Sequence, residues 1–239
     1  MSPGFKVEGR DGRCGGCLPF FCPAPFIVSR TELPNAARPD DERRALRSRL
    51  RETRRNLGSD QRNAAARLCA RRLSELAAFR NARRIAAYLP ADGELDTDPL
   101  IARAWDMGKS VYLPVLLPQG ENRLWFARYE PDTILRCNRF GIPEPVGAAR
   151  TRIAPLALDL VLTPLVAFDA QGHRLGMGGG FYDRSFAYLL RHRRWLRPRL
   201  IGLAYDFQRQ PHLPHQPWDV PLHAIVTDKA VYERLAPRN

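Results

Sequence analysis

Residues 174–184 read RLGMGGGFYDR, with four glycines between an arginine and an aspartate. The preceding residues 159–169, DLVLTPLVAFD, predict a buried strand or a pair of strands leading into a turn. Residues 181–190 predict a helix, so the glycine-rich loop ends at a helix N-terminus. Because glycine has no Cβ, main-chain N–H groups can converge on one anion, and the helix dipole favours the same charge. The stretch therefore predicts a strand, a phosphate-binding loop and a helix, a unit typical of α/β folds.

The residue order in this loop departs from two common nucleotide-binding motifs. A dinucleotide fingerprint needs its third glycine at position 181, which is Phe181, and a P-loop needs Gly-Lys-Ser or Gly-Lys-Thr, neither of which occurs in the loop. A glycine turn without a ligand is the alternative. The succession of arginine, glycines, aromatic pair and aspartate favours a nucleotide phosphate site, with Asp183 placed to share a divalent cation with the phosphates.

Three regions of the chain differ in composition. Residues 1–40 are rich in glycine, proline and cysteine, and we expect them to be a disordered extension. Residues 41–232 alternate segments of strand and helix period and predict one domain, with residues 233–239 as a C-terminal tail. We expect a single three-layer αβα domain with a mostly parallel sheet, preceded by a basic helical hairpin that turns at Gly58.

Positive charge is concentrated in two regions of a chain of 239 residues whose net charge is +13. Residues 41–84 carry 14 arginines against five acidic residues, and residues 191–199 read RHRRWLRPR. Such patches attract nucleotides but also nucleic acid, so a basic RNA/DNA-binding protein without catalysis is the alternative function. No apolar run reaches the roughly 18 residues needed to span a bilayer, and we expect a cytoplasmic protein without membrane contact.

Residues 174–184 closely resemble the signature of the 5-formyltetrahydrofolate cyclo-ligase family. Residues 43–47, 92–97 and 140–145 resemble the family's basic first helix, its substrate loop and its Ile-Pro turn, and the likeness covers residues 41–232 in the family's order. It implies ATP- and Mg²⁺-dependent cyclisation of 5-formyltetrahydrofolate, with or without a polyglutamate tail, to 5,10-methenyltetrahydrofolate, ADP and phosphate. It also implies a phosphorylated formyl (iminium phosphate) intermediate, no enzyme nucleophile, and a monomer.

The resemblance also implies roles for individual residues. It assigns catalysis to Arg174, Tyr182 and Glu94, with Arg174 meeting the transferring γ-phosphate. It assigns Mg²⁺ to Asp183 and, as a second candidate, to Asp219. The implied ATP-binding residues are Arg43, Arg47, Arg174, Leu175, Gly176, Met177, Gly178, Gly179, Gly180, Phe181 and Tyr182. The implied substrate-binding residues are Leu89, Glu94, Phe140, Met177 and Phe181.

Simpler structural roles compete with several of these assignments. Arg174 can be a solvated loop charge, Glu94 a surface carboxylate, and the aromatic pair after the glycines part of the core. Met177 and Gly179 stand where relatives often carry Arg and Lys, which leaves less positive charge facing the phosphates. A different α/β phosphate enzyme, such as a sugar-phosphate isomerase, is a further alternative that would need neither ATP nor the Glu94 loop.

Overall fold

The computed structural model of the chain describes residues 39–117, 122–191 and 197–234. All but the last two residues of the predicted extension lie outside these ranges, as does most of the predicted tail. Residues 39 and 40 belong to the first helix, which begins at Pro39. Within the described ranges, no helix is both long enough and apolar enough to cross a bilayer.

The described residues form seven α-helices and twelve strands, numbered here in chain order. The helices are α1 Pro39–Arg55, α2 Ser59–Glu75, α3 Ala77–Asn81, α4 Asp98–Asp106, α5 Ala148–Thr151, α6 Phe181–Phe186 and α7 Tyr188–Arg191. The strands are β1 Arg84–Ala86, β2 Ser110–Leu116, β3 Leu124–Tyr129, β4 Leu135–Cys137, β5 Pro143–Pro145, β6 Arg152–Ile153, β7 Leu160–Pro164, β8 Ala167–Phe168, β9 Arg174–Leu175, β10 Arg199–Ala204, β11 Ala224–Thr227 and β12 Val231–Glu233.

Eight of the strands form one sheet in the order β12-β11-β10-β7-β1-β2-β3-β6. The five central strands, from β11 to β2, are parallel. Antiparallel strands close both edges, β12 on one side and the β3–β6 pair on the other. The mostly parallel sheet predicted from the sequence is therefore confirmed, with antiparallel edges added.

Side chains alternate between two cores, one on each face of the sheet. Leu160 and Leu162 of β7 pack towards α2, α3 and α4, whereas Val161 packs towards α6 and α7. Strands buried on both faces read as continuous apolar runs, which explains the sequence pattern of this segment. The three layers predicted from the sequence are confirmed.

The order of the parallel strands fixes the position where a ligand can bind. The chain runs from β1 outward through α4 to β2, and from β7 in the opposite direction to β10 and β11. The direction of winding thus reverses between the neighbouring strands β1 and β7. In open α/β sheets, ligands bind in the crevice outside the carboxyl ends of the strands at such a switch point.

The first two helices bury different surfaces instead of packing mainly on each other. Leu50 of α1 packs with Val166, Leu175 and Leu213 near the ligand end of the sheet. The apolar residues of α2, such as Leu73, pack on the face of the sheet beside α4. The two helices of the predicted basic hairpin therefore have different roles. Helix α2 covers one face of the sheet, and α1 contacts the loops.

The helix predicted over residues 181–190 is interrupted, since α6 ends at Phe186 and α7 begins at Tyr188. The Ser185 hydroxyl donates to the Phe181 carbonyl and accepts from the Leu124 main-chain N–H. Such back-bonding by serine bends helices. Here it also ties α6 to β3.

Candidate active site at the switch point

A cavity of about 700 Å³ opens at the carboxyl ends of β1 and β7. Six parts of the chain line it: α1, the loop after β1, the β2–β5 region, the end of β7 with Leu165, the glycine loop with α6, and the loop before β11. The cavity brings together fifteen of the sixteen residues assigned from the sequence, namely Arg43, Arg47, Leu89, Glu94, Phe140, Arg174, Gly176, Met177, Gly178, Gly179, Gly180, Phe181, Tyr182, Asp183 and Asp219.

Leu175 is the exception among the assigned residues. Its side chain is only 1% exposed and packs with Leu50 and Val166 in the small core under α1. Its carbonyl accepts a hydrogen bond from the Val166 N–H at 2.7 Å. Leu175 therefore anchors the start of the glycine loop, and its side chain does not reach the cavity.

The glycine loop takes a backbone path that other residues would adopt only with strain. Gly178 and Gly180 have φ of 100° and 64°, in the left-handed region. A Cβ on Gly179 would lie 2.8 Å from the Phe181 ring, and one on Gly180 would lie 2.9 Å from an Arg184 nitrogen. Because α6 is only six residues long, an anion in this loop would depend on the main-chain amides more than on a helix dipole.

The arginine and the aspartate that flank the glycines are bonded to each other. Arg174 Nη2 lies 2.6 Å from Asp183 Oδ1, and Arg174 Nη1 donates to the Val220 carbonyl. The Val220 N–H donates to the same Asp183 oxygen at 3.0 Å. Arg174 is 8% exposed, so the simpler interpretation as a solvated loop charge is wrong.

Within the described residues, these contacts leave N–H groups of Arg174 and one oxygen of Asp183 available to a ligand. Two of the five N–H groups of the Arg174 guanidinium are used, and both hydrogen bonds that Asp183 accepts within the described residues fall on Oδ1. Mg²⁺ in nucleotide sites is commonly held by one or two carboxylates and the substrate phosphates. The Asp183 Oδ2 atom fits that requirement.

The second metal candidate, Asp219, is engaged by the protein itself. Its Oδ2 accepts from Arg43 Nη1 at 3.3 Å and from the Gln216 N–H at 2.9 Å. Arg43 Nη1 also donates to the Pro214 carbonyl. Arg43 and Asp219 therefore fix the loop before β11 onto α1, while Asp219 Oδ1, like Asp183 Oδ2, accepts no hydrogen bond within the described residues.

Arg47 links α1 to the glycine loop. Its Nε donates to the Gly176 carbonyl at 2.9 Å. Burial, and next the positive charge of Arg43, lower the pKa of Arg47. Two guanidinium groups close to the loop thus raise the positive potential where phosphates are expected, which offsets the missing basic residues at positions 177 and 179.

The acid assigned from the loop after β1 is held at the cavity wall. The Glu94 side chain is 11% exposed, its Oε2 accepts from the Ala91 N–H at 3.2 Å, and its Oε1 lies 3.9 Å from Arg54 Nη1. Burial raises the pKa of Glu94, and Arg54 opposes that rise. Burial, followed by the Glu94 charge, raises the pKa of Tyr182. Glu94 is therefore not a simple surface carboxylate.

Exposed aromatic side chains form the outer wall of the cavity. Phe140 is 55% exposed and meets Phe181 edge to face at 5.9 Å between ring centroids. Its loop is pinned by Glu144, whose Oε1 accepts from the Leu116 N–H and from the Asn138 side chain. This wall suits a flat heteroaromatic ring.

Sequence reasoning missed three residues that belong to the site. Arg54 and Asp92 support the Glu94 loop, and Trp218, 65% exposed, lines the cavity next to Asp219. The spacing of Arg47, Leu50 and Arg54 could have placed Arg54 on the buried face of α1. Trp218 offered no such signal, because a single tryptophan in an irregular segment has no period.

A Gly-Lys-Ser triplet does occur elsewhere, at residues 108–110. It joins α4 to the amino end of β2, at the opposite ends of the parallel strands from the cavity. Lys109 Nζ donates to the Arg80 and Ala82 carbonyls. This triplet is therefore structural and is not a phosphate-binding loop.

The fold and the cavity define an α/β protein with a glycine-rich loop at the switch point of its sheet. The family model described as "5-formyltetrahydrofolate cyclo-ligase family" matches residues 39–228. The chain belongs to the 5-formyltetrahydrofolate cyclo-ligase family, as the sequence resemblance predicted, and it is an enzyme of the ligase class.

Individual relatives and structures agree with this assignment. The chain is 42% identical to the 5-formyltetrahydrofolate cyclo-ligase of Escherichia coli K12 over 184 residues, covering 77% of this chain and 99% of the relative. It is 42% identical to that of Haemophilus influenzae over 187 residues, covering 77% and 97%. Aquifex aeolicus 5,10-methenyltetrahydrofolate synthetase superposes with a TM-score of 0.68 at 31% identity, covering 82% of this chain and 95% of that one. The Mycoplasma pneumoniae synthetase gives 0.60 at 25% identity, covering 78% and 99%.

Proposed function

We propose that the cavity cyclises 5-formyltetrahydrofolate to 5,10-methenyltetrahydrofolate with ATP as co-substrate and Mg²⁺ as cofactor. The observation that carries this proposal is that the glycine loop and the Glu94–Phe140 wall line one cavity. A phosphate donor and a folate can therefore meet there. Family membership supports the same reaction.

The proposed reaction must convert the formyl oxygen into a good leaving group. The formyl oxygen of an N5-formyl group is part of an amide and departs poorly. Transfer of the γ-phosphoryl group of ATP to that oxygen releases ADP and gives an iminium phosphate. N10 then attacks the formyl carbon and loses its proton, and the C–O bond breaks as phosphate leaves. No enzyme nucleophile is needed, so catalysis rests on positioning and on charge stabilisation.

The glycine loop is proposed to hold the phosphates. The amides of residues 176–180 line the cavity, and Arg43 and Arg47 add positive charge from α1. Arg174 keeps free N–H groups that can contact the transferring phosphoryl group. Asp183 would hold Mg²⁺ through Oδ2, and the ion would supply charge neutralisation on the phosphates.

The folate is proposed to lie on the opposite wall. Phe140 and Phe181 offer aromatic faces to the pterin, and Leu89 and Met177 add apolar contact. The Glu94 carboxylate can accept hydrogen bonds from the N–H groups of the pterin. Tyr182 lies at the boundary between the two walls, since it is the second residue of α6, next to Phe181, and the Glu94 charge contributes, after burial, to raising its pKa.

The experiment incubates purified protein with 5-formyltetrahydrofolate and Mg-ATP and follows the absorbance of the methenyl product. We expect product only when all three components are present, with one ADP released per product. Folded protein that gives no product would refute the proposal. Tight, steeply salt-dependent binding to RNA or DNA with no turnover would support the alternative function instead.

The contacts of α1 argue against that alternative. Arg43, Arg47 and Arg54, three of the arginines in the basic region, bind groups of the protein and do not extend into solvent. We further propose that one chain carries the complete site and acts as a monomer in the cytoplasm. Light scattering of the purified protein at micromolar concentration, with and without ligands, tests the monomer.

A further inference from the structure

A buried arginine that no step of the proposed reaction uses lies beneath the loop carrying Glu94. Arg54, near the end of α1, is 1% exposed. Its Nε donates to the Asp92 carbonyl at 2.9 Å, and its Nη2 donates to Asp92 Oδ2 at 3.0 Å. Its Nη1 reaches the Leu165 carbonyl at 3.4 Å and lies 3.9 Å from Glu94 Oε1. The guanidinium thus contacts both strands of the switch point through their following loops.

The loop that Arg54 supports has an unusual backbone. Asp92 has φ of 52°, and it is the one non-glycine residue with positive φ among the described residues. Gly93 follows with φ of 73°, and a Cβ on it would lie 3.1 Å from the Arg54 carbonyl. A non-glycine residue holds the left-handed region only when its surroundings enforce it. Here the enforcing contacts are the two hydrogen bonds from Arg54 to Asp92, one of them to the main-chain carbonyl, and the one from Arg51 to the Asp92 carboxylate.

The charge of Arg54 also needs partners, because an isolated buried cation is very costly. Asp92 supplies one, but Asp92 is shared with Arg51 at 2.7 Å and with Arg55 at 3.3 Å. Glu94 is the second acid within reach. The two acids and the buried cation therefore form one electrostatic unit that ends at the cavity wall.

Several groups face Glu94 from the elements packed around it. Arg54 is the strongest charge that favours its ionised form, and Asp92 opposes that form. The charge of Arg51 has the smallest effect of the three on the pKa of Glu94. Among the described residues these groups are Arg51 and Arg54 of α1, Asp92 of the same loop, Tyr88 after β1, Tyr182 of α6, and Tyr205 after β10, whose hydroxyl donates to the Glu94 carbonyl.

We propose that Arg54 is a positioning residue for Glu94: it fixes the Asp92–Gly93 turn and thereby holds the Glu94 carboxylate at the cavity wall where the folate is proposed to lie. The inference rests on the proposed function and adds a residue to it. Arg54 touches neither substrate, so its effect must pass through Glu94. It should therefore act on folate binding and not on ATP binding, whose groups lie on the first half of α1 and on the glycine loop.

The first test compares Arg54→Lys with a matched control, Arg51→Lys. Both arginines bond Asp92, but of the two only Arg54 lies within 4 Å of the Glu94 carboxylate. We expect Arg54→Lys to raise KM for 5-formyltetrahydrofolate about tenfold while KM for ATP stays within about twofold, because lysine cannot reproduce the two-point contact. Arg51→Lys should change either constant less than about threefold. Equal rises in both constants for Arg54→Lys would contradict the proposal.

A double-mutant cycle provides a readout that a merely structural role would not give. In a Glu94→Gln background, Arg54→Lys should cause little further loss of kcat/KM, since the group through which it acts is gone. If the double variant instead loses kcat/KM by the product of the two single-variant factors, the proposal is overturned. If Arg54→Lys does not fold, Asp92→Asn takes its place in the same cycle, with the same expectations. Inactive wild-type protein would mean that the proposed function itself fails, which is a separate outcome.

A pH titration gives a measurement that needs no turnover. Carbon-13 NMR of glutamate-labelled apoprotein, with the Glu94 signal identified from Glu94→Gln, reports the Glu94 carboxyl directly. Loss of the Arg54 cation in Arg54→Met should raise the pKa of Glu94. An unchanged Glu94 titration in folded Arg54→Met would show that Arg54 does not act on Glu94.

Discussion

Arg174 and Asp183 form an ion pair across the glycine loop, with Nη2 2.6 Å from Oδ1. Both are also bonded to Val220, so the pair ties the two ends of the loop to the segment before β11. The pair therefore fixes both ends of the loop, so that binding of phosphate by its amides, as proposed, would need little rearrangement. The same pair gives Arg174 a structural role beside its proposed catalytic one.

Replacing Arg174 should therefore damage both activity and folding. We expect Arg174→Ala to lower kcat by about 10³-fold, the lower range for loss of an arginine that stabilises phosphoryl transfer. It should also cost about 2–3 kcal/mol of unfolding free energy, because a largely buried pair is broken. Steady-state kinetics and urea unfolding measure the two effects. Arg184→Ala, beyond the same loop but exposed, is the control and should cost less than about tenfold in kcat.

The two carboxylates proposed for Mg²⁺ should behave differently. Asp183→Asn should raise the Mg²⁺ concentration needed for half-maximal turnover by about tenfold or more, because a charged ligand is lost. Asp219→Asn should instead raise KM for ATP, since it releases Arg43, and should leave the Mg²⁺ requirement nearly unchanged. Titration of turnover with Mg²⁺ at saturating ATP separates them. The reverse ranking would assign the metal to Asp219.

Gly93 should be intolerant of a side chain for two separable reasons. Gly93→Ala places a Cβ in the left-handed region, at a cost of about 1–2 kcal/mol, and brings it 3.1 Å from the Arg54 carbonyl. Gly108 has φ of 67° with no heavy atom within 4 Å of the added carbon. Gly108→Ala thus carries only the backbone cost. Urea unfolding should show Gly93→Ala as the less stable variant. Equal losses of unfolding free energy in the two variants would mean that the loop moves to avoid the contact with the Arg54 carbonyl.

The ionisation of Glu94 should appear in the pH dependence of stability. Burial raises the pKa of Glu94 in the folded protein. For a raised pKa, the favourable contribution is fully present below the unfolded pKa and is lost as pH rises through the folded pKa. We therefore expect the Tm of the wild type to fall relative to that of Glu94→Gln over the pH range that begins at the ordinary glutamate pKa of about 4.3 and extends upward. Thermal unfolding of both proteins across this range tests the sign, and parallel curves would contradict it.

Much of the architecture could be predicted because its signals are local. The apolar run around β7 and the glycine loop each specify their own conformation. The antiparallel edges β6 and β12 could not be predicted, since they are two and three residues long and depend on their neighbours in the sheet. The break after Phe186 likewise depends on a contact with β3, which no local pattern encodes.

The residues of the candidate site were likewise only partly predictable from the sequence. The resemblance located the glycine loop, Glu94 and Phe140, but it gave Leu175 a ligand role that its burial rules out for the side chain. Arg54 was one of 14 arginines in its region, and composition gave no reason to separate it from the solvated ones. Only the fold shows that α1 directs Arg43, Arg47 and Arg54 at three different loops.

The central claim is that ATP binds with its phosphates in the glycine loop. A crystal structure with Mg²⁺ and a non-hydrolysable ATP analogue tests it most directly. We predict the triphosphate against the amides of residues 176–180, its terminal group near Arg174 and the metal on Asp183 Oδ2. A triphosphate bound away from this loop, with the loop itself empty, would contradict the account.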